Sequence, residues 1–258
     1  MFFQQSETTR NLMSEEKENI QFELTDELIE QVEQLIETKN DKELQQLLKG
    51  FHYADIAEIL DEVNLEEAMY VIKLLDSETT SDVLMELDED NREKVLKNLS
   101  AKEIAEEIEE LDTDDAADII AELPEERQQE VISQILDEEH KAEITELLDY
   151  DEDTAGGLMA KELVKVFETW TVAGCLRRIR GQAKDVRRVH SIYVVNKQNK
   201  LIGRLSLKDL IVAKSDQKIA DIYIKSVDYV KVDEDVEEVA RVMQKYDLEA
   251  IPVVDEDM

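Results

Sequence analysis

Carboxylates are the side chains dense enough in this sequence to act together: between Ala101 and Tyr150 stand 19 Asp and Glu against 3 Lys and Arg. Crowded carboxylates attract hard cations or basic proteins, and they repel nucleic acid and anionic membrane surfaces. A solvated surface is the plain alternative. Other chemistry finds little support. His52, His140 and His190 are scattered, fit no metal-protease or nucleophile-base pattern, and are expected at the surface or half-buried. No phosphate-cradling glycine loop occurs, so the chain is not expected to be an enzyme. Cys175, the single cysteine, excludes an internal disulfide framework and fits a reducing compartment.

These acids sit on a regular apolar beat, which separates the chain from acidic sequences that stay disordered for want of a core. Val63, Leu75, Leu87, Leu99, Leu111, Leu123, Leu136 and Leu148 are spaced by 12 residues with one interval of 13. Three places before the first six stand Leu60, Ile72, Leu84, Leu96, Ile108 and Ile120; four places before stand Ile59, Val71, Val83, Val95 and Ile119. The pattern predicts one short amphipathic helix per unit. Ser77, Ser100 with Glu103, Thr113, and Pro124 at a first helical position are the expected start signals. A single such helix cannot bury its own face, so the units are expected to stack as a small superhelix. An irregular bundle is the alternative.

Charge divides the chain. Residues 1–150 hold 45 acids and 12 bases, residues 151–230 hold 10 acids and 15 bases, and the remainder holds 10 and 3. The expected organisation is a loose tail over 1–22, an acidic helical superhelix over 23–150, and a Gly-Gly connector over 151–160. The glycines there are read as helix terminators supplying a left-handed residue. An α/β module follows. Met1 to Arg10 lacks the apolar stretch of a signal peptide, and no run approaches the roughly 18 apolar residues that span a bilayer. The chain is therefore expected to be soluble.

In the second module, strands are predicted over Leu163–Phe167, Ser191–Val195, Leu201–Leu205, Ser226–Val232 and Ala250–Val254. Helices are predicted over Thr171–Gly181, Lys208–Lys214 and Asp235–Tyr246. Trp170 and the methionines are expected to pack. The order repeats, giving a motif over 161–225 and a second over 226–258 that stops early. Ser191-Ile192-Tyr193-Val194-Val195 followed by Leu201-Ile202-Gly203-Arg204-Leu205-Ser206-Leu207-Lys208-Asp209-Leu210 resembles a cystathionine-β-synthase-type (CBS) motif, and Leu248-Glu249-Ala250-Ile251-Pro252-Val253-Val254-Asp255 resembles the central strand of another. Pro252 suits a strand start or edge. A hairpin strand and closing helix do not follow, so Ile251–Val254 is expected to lack its pairing partner and the sequence to be a piece of a longer polypeptide.

Acidic helical repeats, then Tyr150-Asp151-Glu152-Asp153-Thr154-Ala155-Gly156-Gly157-Leu158-Met159, then a CBS pair: this order resembles the cytosolic part of an MgtE-type magnesium transporter. The resemblance implies a Mg²⁺-sensing gate control on the cytoplasmic side of the cell membrane, dimeric through its CBS modules and attached to a transmembrane domain of the same protein. It also implies sensing carboxylates at Asp82, Asp114, Asp118, Asp235, Glu237 and Asp247, with aspartate at 82 where the family often has glutamate. Asp114 and Asp118 fall at i and i+4, where like charges destabilise a helix by a few tenths of a kcal/mol, about what a dication would reverse. Several weak Mg²⁺ sites are implied. With Mg²⁺ scarce, the acidic surfaces would repel; with Mg²⁺ abundant, ions would bridge them.

Two other readings stay open. In the first CBS copy, Ser206 and Asp209 match positions where the family's hydroxyl meets phosphate and its acid meets ribose, implying ATP or another adenosine nucleotide as ligand. Asp209 as a mere helix flank is the alternative. Otherwise the chain is an acidic interaction scaffold for a basic partner, sensitive to monovalent salt without divalent selectivity.

Overall fold

The computed structural model describes residues 22–183, 189 and 191–255. Most of the expected tail, and His190, lie outside the described residues. Among the described residues are 13 α-helices, one 3-10 turn and five short strands. The fold is a helix-rich N-terminal part followed by an α/β module. The chain divides into two compact units, Met1–Arg92 and Glu93–Met258.

In the first unit α1 (Asp26–Glu37), α2 (Asp41–Leu48), α3 (Tyr53–Glu62), α4 (Leu65–Ile72) and α5 (Ser77–Glu86) follow one another through turns of a few residues. Four of the five starts carry a side-chain cap, α2 being the exception. Thr25 caps α1, His52 with Asp55 and Asn64 with Glu67 form capping boxes on α3 and α4, and Asp76 caps α5. The Asp76 carboxyl is pulled below its ordinary range by the Thr79 amide and hydroxyl. Thus His52 is an exposed helix cap, and Ser77, expected to start α5, is its first helical residue with Asp76 doing the capping. α1 packs on α2 and α4, and α3 on α4 and α5.

α6 (Glu89–Asn98) runs across the division. The second unit continues with α7 (Ala101–Ile108), α8 (Thr113–Ala121), α9 (Glu125–Gln134) and α10 (Glu138–Leu147). α7 packs on α9 and α8 on α10, each helix meeting its second neighbour. Ser100 and Glu103 form the predicted capping box on α7. Thr113 is the first residue of α8, with Asp112 at the cap position, and Pro124 stands at the cap of α9 instead of inside it.

The interval of 13 disappears in the structure. Ile135 is 2 % exposed and Leu136 is 81 % exposed, so the buried position is the one 12 residues after Leu123. Leu147, buried and 12 residues further, takes the place expected for Leu148. The C-terminal turn of α9 ends with Ile135 extended (φ −61°, ψ 126°), which aims it inward and its neighbour out. Ile135→Ala is expected to lower stability by about 2–5 kcal/mol, and Leu136→Ala by less than about 0.5. Urea denaturation of the two variants checks the register.

The α/β module opens with β1 (Val164–Phe167), α11 (Val172–Gln182, capped by Thr171), β2 (Ile192–Val195), β3 (Leu201–Leu205) and α12 (Leu207–Val212). β2 lies between β1, which is parallel to it, and β3, which is antiparallel. Alternation sends Val164, Val166, Ile192, Val194 and Leu205 to a core shared with Val172, Cys175, Ile179 and Leu210. Burial pushes the Cys175 thiol up to about 11, so it behaves as a small apolar side chain. Trp170 packs on this core, 5.3 Å from the Phe167 ring and beneath the Arg178 guanidinium at 4.3 Å.

A 3-10 turn (Ile219–Asp221) leads to β4 (Val230–Lys231), α13 (Val236–Tyr246) and β5 (Val253–Val254). These strands are shorter than the spans read from the sequence. β5 pairs in parallel with β4, as β2 does with β1, and the Pro252 carbonyl just before it accepts the Val230 N–H at 3.1 Å; among the described residues no hairpin strand pairs with it as β3 does with β2.

Candidate metal site and its surroundings

Asp114 and Asp118 lie one turn apart on α8. Asp118 is exposed and Asp114 half-buried, with its Oδ1 enclosed and taking no hydrogen bond. An enclosed carboxylate oxygen without a donor is costly, and a cation relieves that cost directly. Oxygen-only donors also match the hardness of Mg²⁺, which keeps several waters and needs one or two carboxylates. These residues therefore fit the ion. Among the described residues no three His, Cys, Asp or Glu side chains converge into a metal-holding group.

The acids of the last helix divide into two places. Asp235 caps α13, its Oδ1 accepting the Glu237 N–H at 2.8 Å, and Glu237 is exposed beside it. Asp247 terminates the helix in the left-handed conformation (φ 53°, ψ 51°) that Asp tolerates better than most residues, with its N–H given to the Met243 carbonyl. Twelve residues of helix put Asp235 and Asp247 about 18 Å apart, too far for a single ion to be shared. Asp82, half-buried on α5, belongs to the first unit.

Ser206 is the N-cap of α12, its Oγ accepting the Asp209 N–H at 3.3 Å, with Asp209 half-buried. The pair is thus engaged as a helix start. His140 reaches the Ile108 carbonyl with Nε2 at 3.3 Å.

Sequence reasoning missed two features. The first is the connector, whose backbone pairs with the segment before α13: Ala155 N–H to the Glu234 carbonyl at 2.8 Å, Gly156 N–H to Val232 at 2.9 Å, and Val236 N–H to Asp153 at 3.0 Å. The glycines serve close approach, not a left-handed turn. No glycine has positive φ; a Cβ on Gly156 would stand 2.6 Å from the Tyr150 ring, and one on Gly157 2.4 Å from the Asp151 carbonyl oxygen.

The second is a junction around Thr113. Its N–H donates to Glu162 Oε1 at 3.0 Å and its hydroxyl to Oε2 at 2.9 Å, while that hydroxyl accepts the Lys161 N–H at 2.9 Å. Lys161 Nζ bridges to Glu146 of α10 at 2.7 Å. No local motif in the sequence joins residues 113 and 162. Glu143 lies beside them, its carboxyl raised above the ordinary value of 4.5 by burial, then by the charges of Glu162 and Glu139, against the opposing pull of His140 and Lys161. Because the folded pKa exceeds the unfolded one, folding takes up a proton between the two values. The penalty is full above the folded pKa and vanishes below about 4.5. Glu143→Gln is therefore expected to raise the melting temperature at pH 7 and leave it nearly unchanged at pH 4, as thermal scans at the two pH values would show.

Acidic helical repeats, a closely docked connector and an α/β module with a repeated strand-helix order define a two-part class of protein, helical repeat followed by α/β sheet. The family model described as the MgtE intracellular N domain matches residues 51–153, and that of the CBS domain matches 155–216 and 219–258. The magnesium transporter MgtE of Thermus thermophilus is 49 % identical over 108 residues, and that of Enterococcus faecalis 39 % over 108, in each case 42 % of this chain and 24 % of the relative's length. A crystal structure described as the cytosolic domain of the Mg²⁺ channel MgtE in complex with ATP superposes with a TM-score of 0.82 at 36 % identity, covering 89 % of this chain and 93 % of that one. One described as the soluble part of a magnesium transporter gives 0.78 at 29 % identity, covering 90 % and 91 %. The chain belongs to the MgtE family and corresponds to its cytosolic portion. No described helix is long and apolar enough to cross a membrane.

Proposed function

We propose that this chain is a Mg²⁺-sensing regulatory region that controls a transmembrane domain of the same protein from the cytoplasmic side, without enzymatic activity of its own. The observation that carries the reading is Asp114: an enclosed carboxylate oxygen with no donor, one turn from Asp118, on a helix whose surroundings are overwhelmingly acidic. Mg²⁺ bound there, with separate weak sites at Asp235 with Glu237, at Asp247 and at Asp82, would offset repulsion among the acidic surfaces and favour a closed arrangement. Dimerisation through the CBS modules, with a functional boundary near Tyr150, belongs to the same proposal.

Magnitudes require several ions. Two unit charges 4 Å apart interact by about 4 kcal/mol at an effective dielectric near 20, and by about 1 in bulk water. Driving a two-state element from 1:99 to 99:1 takes about 5.5 kcal/mol of differential binding. Exposed single sites fall short of that, and several together give a steep response. Small-angle scattering with MgCl₂ and with a chelator at equal ionic strength tests it: the radius of gyration should fall with Mg²⁺, and identical profiles would refute the switch.

A second ligand is supported by the relative solved with ATP. ATP binding at Ser206 and Asp209 requires the Ser206 hydroxyl to serve phosphate as well as its helix cap. Calorimetry with ATP first and MgCl₂ second separates the two ligands, and Asp209→Ala should abolish only the first. An acidic scaffold predicts instead that neither ligand gives heat.

A further inference from the structure

The helix that carries Asp114 and Asp118 is tethered at its first residue to a distant segment. Thr113 is fully buried, and both its polar groups are committed: N–H and hydroxyl donate to the two oxygens of Glu162, and the hydroxyl accepts the Lys161 amide. Lys161 continues to Glu146 on α10. A carboxylate at a helix N-terminus, bidentate on the first residue, is placed where the helix dipole favours negative charge. Yet Glu162 also shares that end with Asp114 and Asp115 of the first turn, and has Glu143 close by.

We infer that Glu162 is a positioning residue: it fixes α8 against the segment entering β1, so that Mg²⁺ binding at Asp114 and Asp118 and ordering of residues 158–163 form one linked equilibrium. The inference rests on the Mg²⁺-sensing reading above and names how the signal leaves the site. A dication on the first turn of α8 lowers the repulsion that Glu162 feels from Asp114, which strengthens the tether. By reciprocity, an intact tether raises the affinity of α8 for Mg²⁺. The segment so tightened runs from the connector into β1, whose backbone partner is β2 of the CBS-type sheet.

The test is hydrogen exchange at the Lys161 amide, whose acceptor is the Thr113 hydroxyl, followed through a MgCl₂ titration of the full chain at constant ionic strength. In the wild type, MgCl₂ should slow that exchange. Glu162→Ala should raise the Mg²⁺ midpoint at least about fivefold although it removes no proposed ligand, while Thr113→Ser, which keeps the hydroxyl, should stay within about twofold of wild type. If Glu162→Ala fails to fold, Glu162→Gln serves, with the same direction expected from loss of the charge. A midpoint unchanged in the Glu162 variant overturns the coupling alone, as does a Lys161 amide indifferent to MgCl₂ in a chain that compacts with it. A wild type with no response of any kind to MgCl₂ overturns the sensing reading and this inference with it.

Discussion

Asp114→Asn, Asp118→Asn and Asp247→Asn together are expected to remove most of the Mg²⁺-dependent rise in thermal stability, leaving what the sites at Asp82 and at Asp235 with Glu237 supply. A ligand held at ten times its dissociation constant stabilises by about 1.4 kcal/mol per site, so two sites near that level give about 3 kcal/mol. At roughly 2–4 °C per kcal/mol for a chain of this size, these two sites should give the wild type about 6–12 °C that the triple variant lacks. The sign in chelator discriminates further. Asn keeps the volume of Asp, tolerates the left-handed conformation at 247, and removes the i, i+4 repulsion on α8, so without Mg²⁺ the variant should be as stable as wild type or slightly more so. A variant that melts low in chelator has lost fold, and one that keeps the full Mg²⁺ gain shows that the ions bind elsewhere.

The other large effect concerns stability itself. Thr113→Val is nearly isosteric but removes the hydroxyl that donates to Glu162 and accepts from Lys161, at a site with no exposure. Hydrogen bonds to a charged group contribute about 1.5–3 kcal/mol, and a buried amide left without its acceptor about 1–3 more. A loss of about 3–5 kcal/mol by urea denaturation is expected, whereas Thr113→Ser should lose about 1. A larger loss for Ser, which drops the methyl, than for Val, which drops the hydroxyl, would mean that the methyl holds the junction.

Much of the helical part could be read directly, because a 12-residue repeat writes its own core: Leu60, Val71, Leu84, Val95, Ile108 and Ile120 are all buried as their spacing implies. The reading slipped where two apolar residues stand side by side. Ile135-Leu136 and Leu147-Leu148 leave the inward member ambiguous by one position, and only the helix-end geometry resolves it. Caps slipped by one residue for a similar reason, since Asp76 and Ser77, or Asp112 and Thr113, are both capable of the role. In the α/β part, β3 and the start of α13 were placed closely, whereas β4 and β5 shrank to two residues each, because strand length depends on what lies alongside.

Composition, charge and periodicity determined that this chain is an acidic helical repeat followed by an α/β module, since those properties are local and accumulate along the backbone; its likeness to CBS motifs came from the resemblance of particular residues. Position in space is not local. That Asp114 hides one oxygen from every donor, that Asp235 and Asp247 occupy opposite ends of one helix, that the connector lies against residues 232–236, and that Glu162 anchors Thr113 were settled by tertiary contacts. The physical reason is that a carboxylate's role depends on its neighbours' dielectric and donors, and those come from segments far away in sequence.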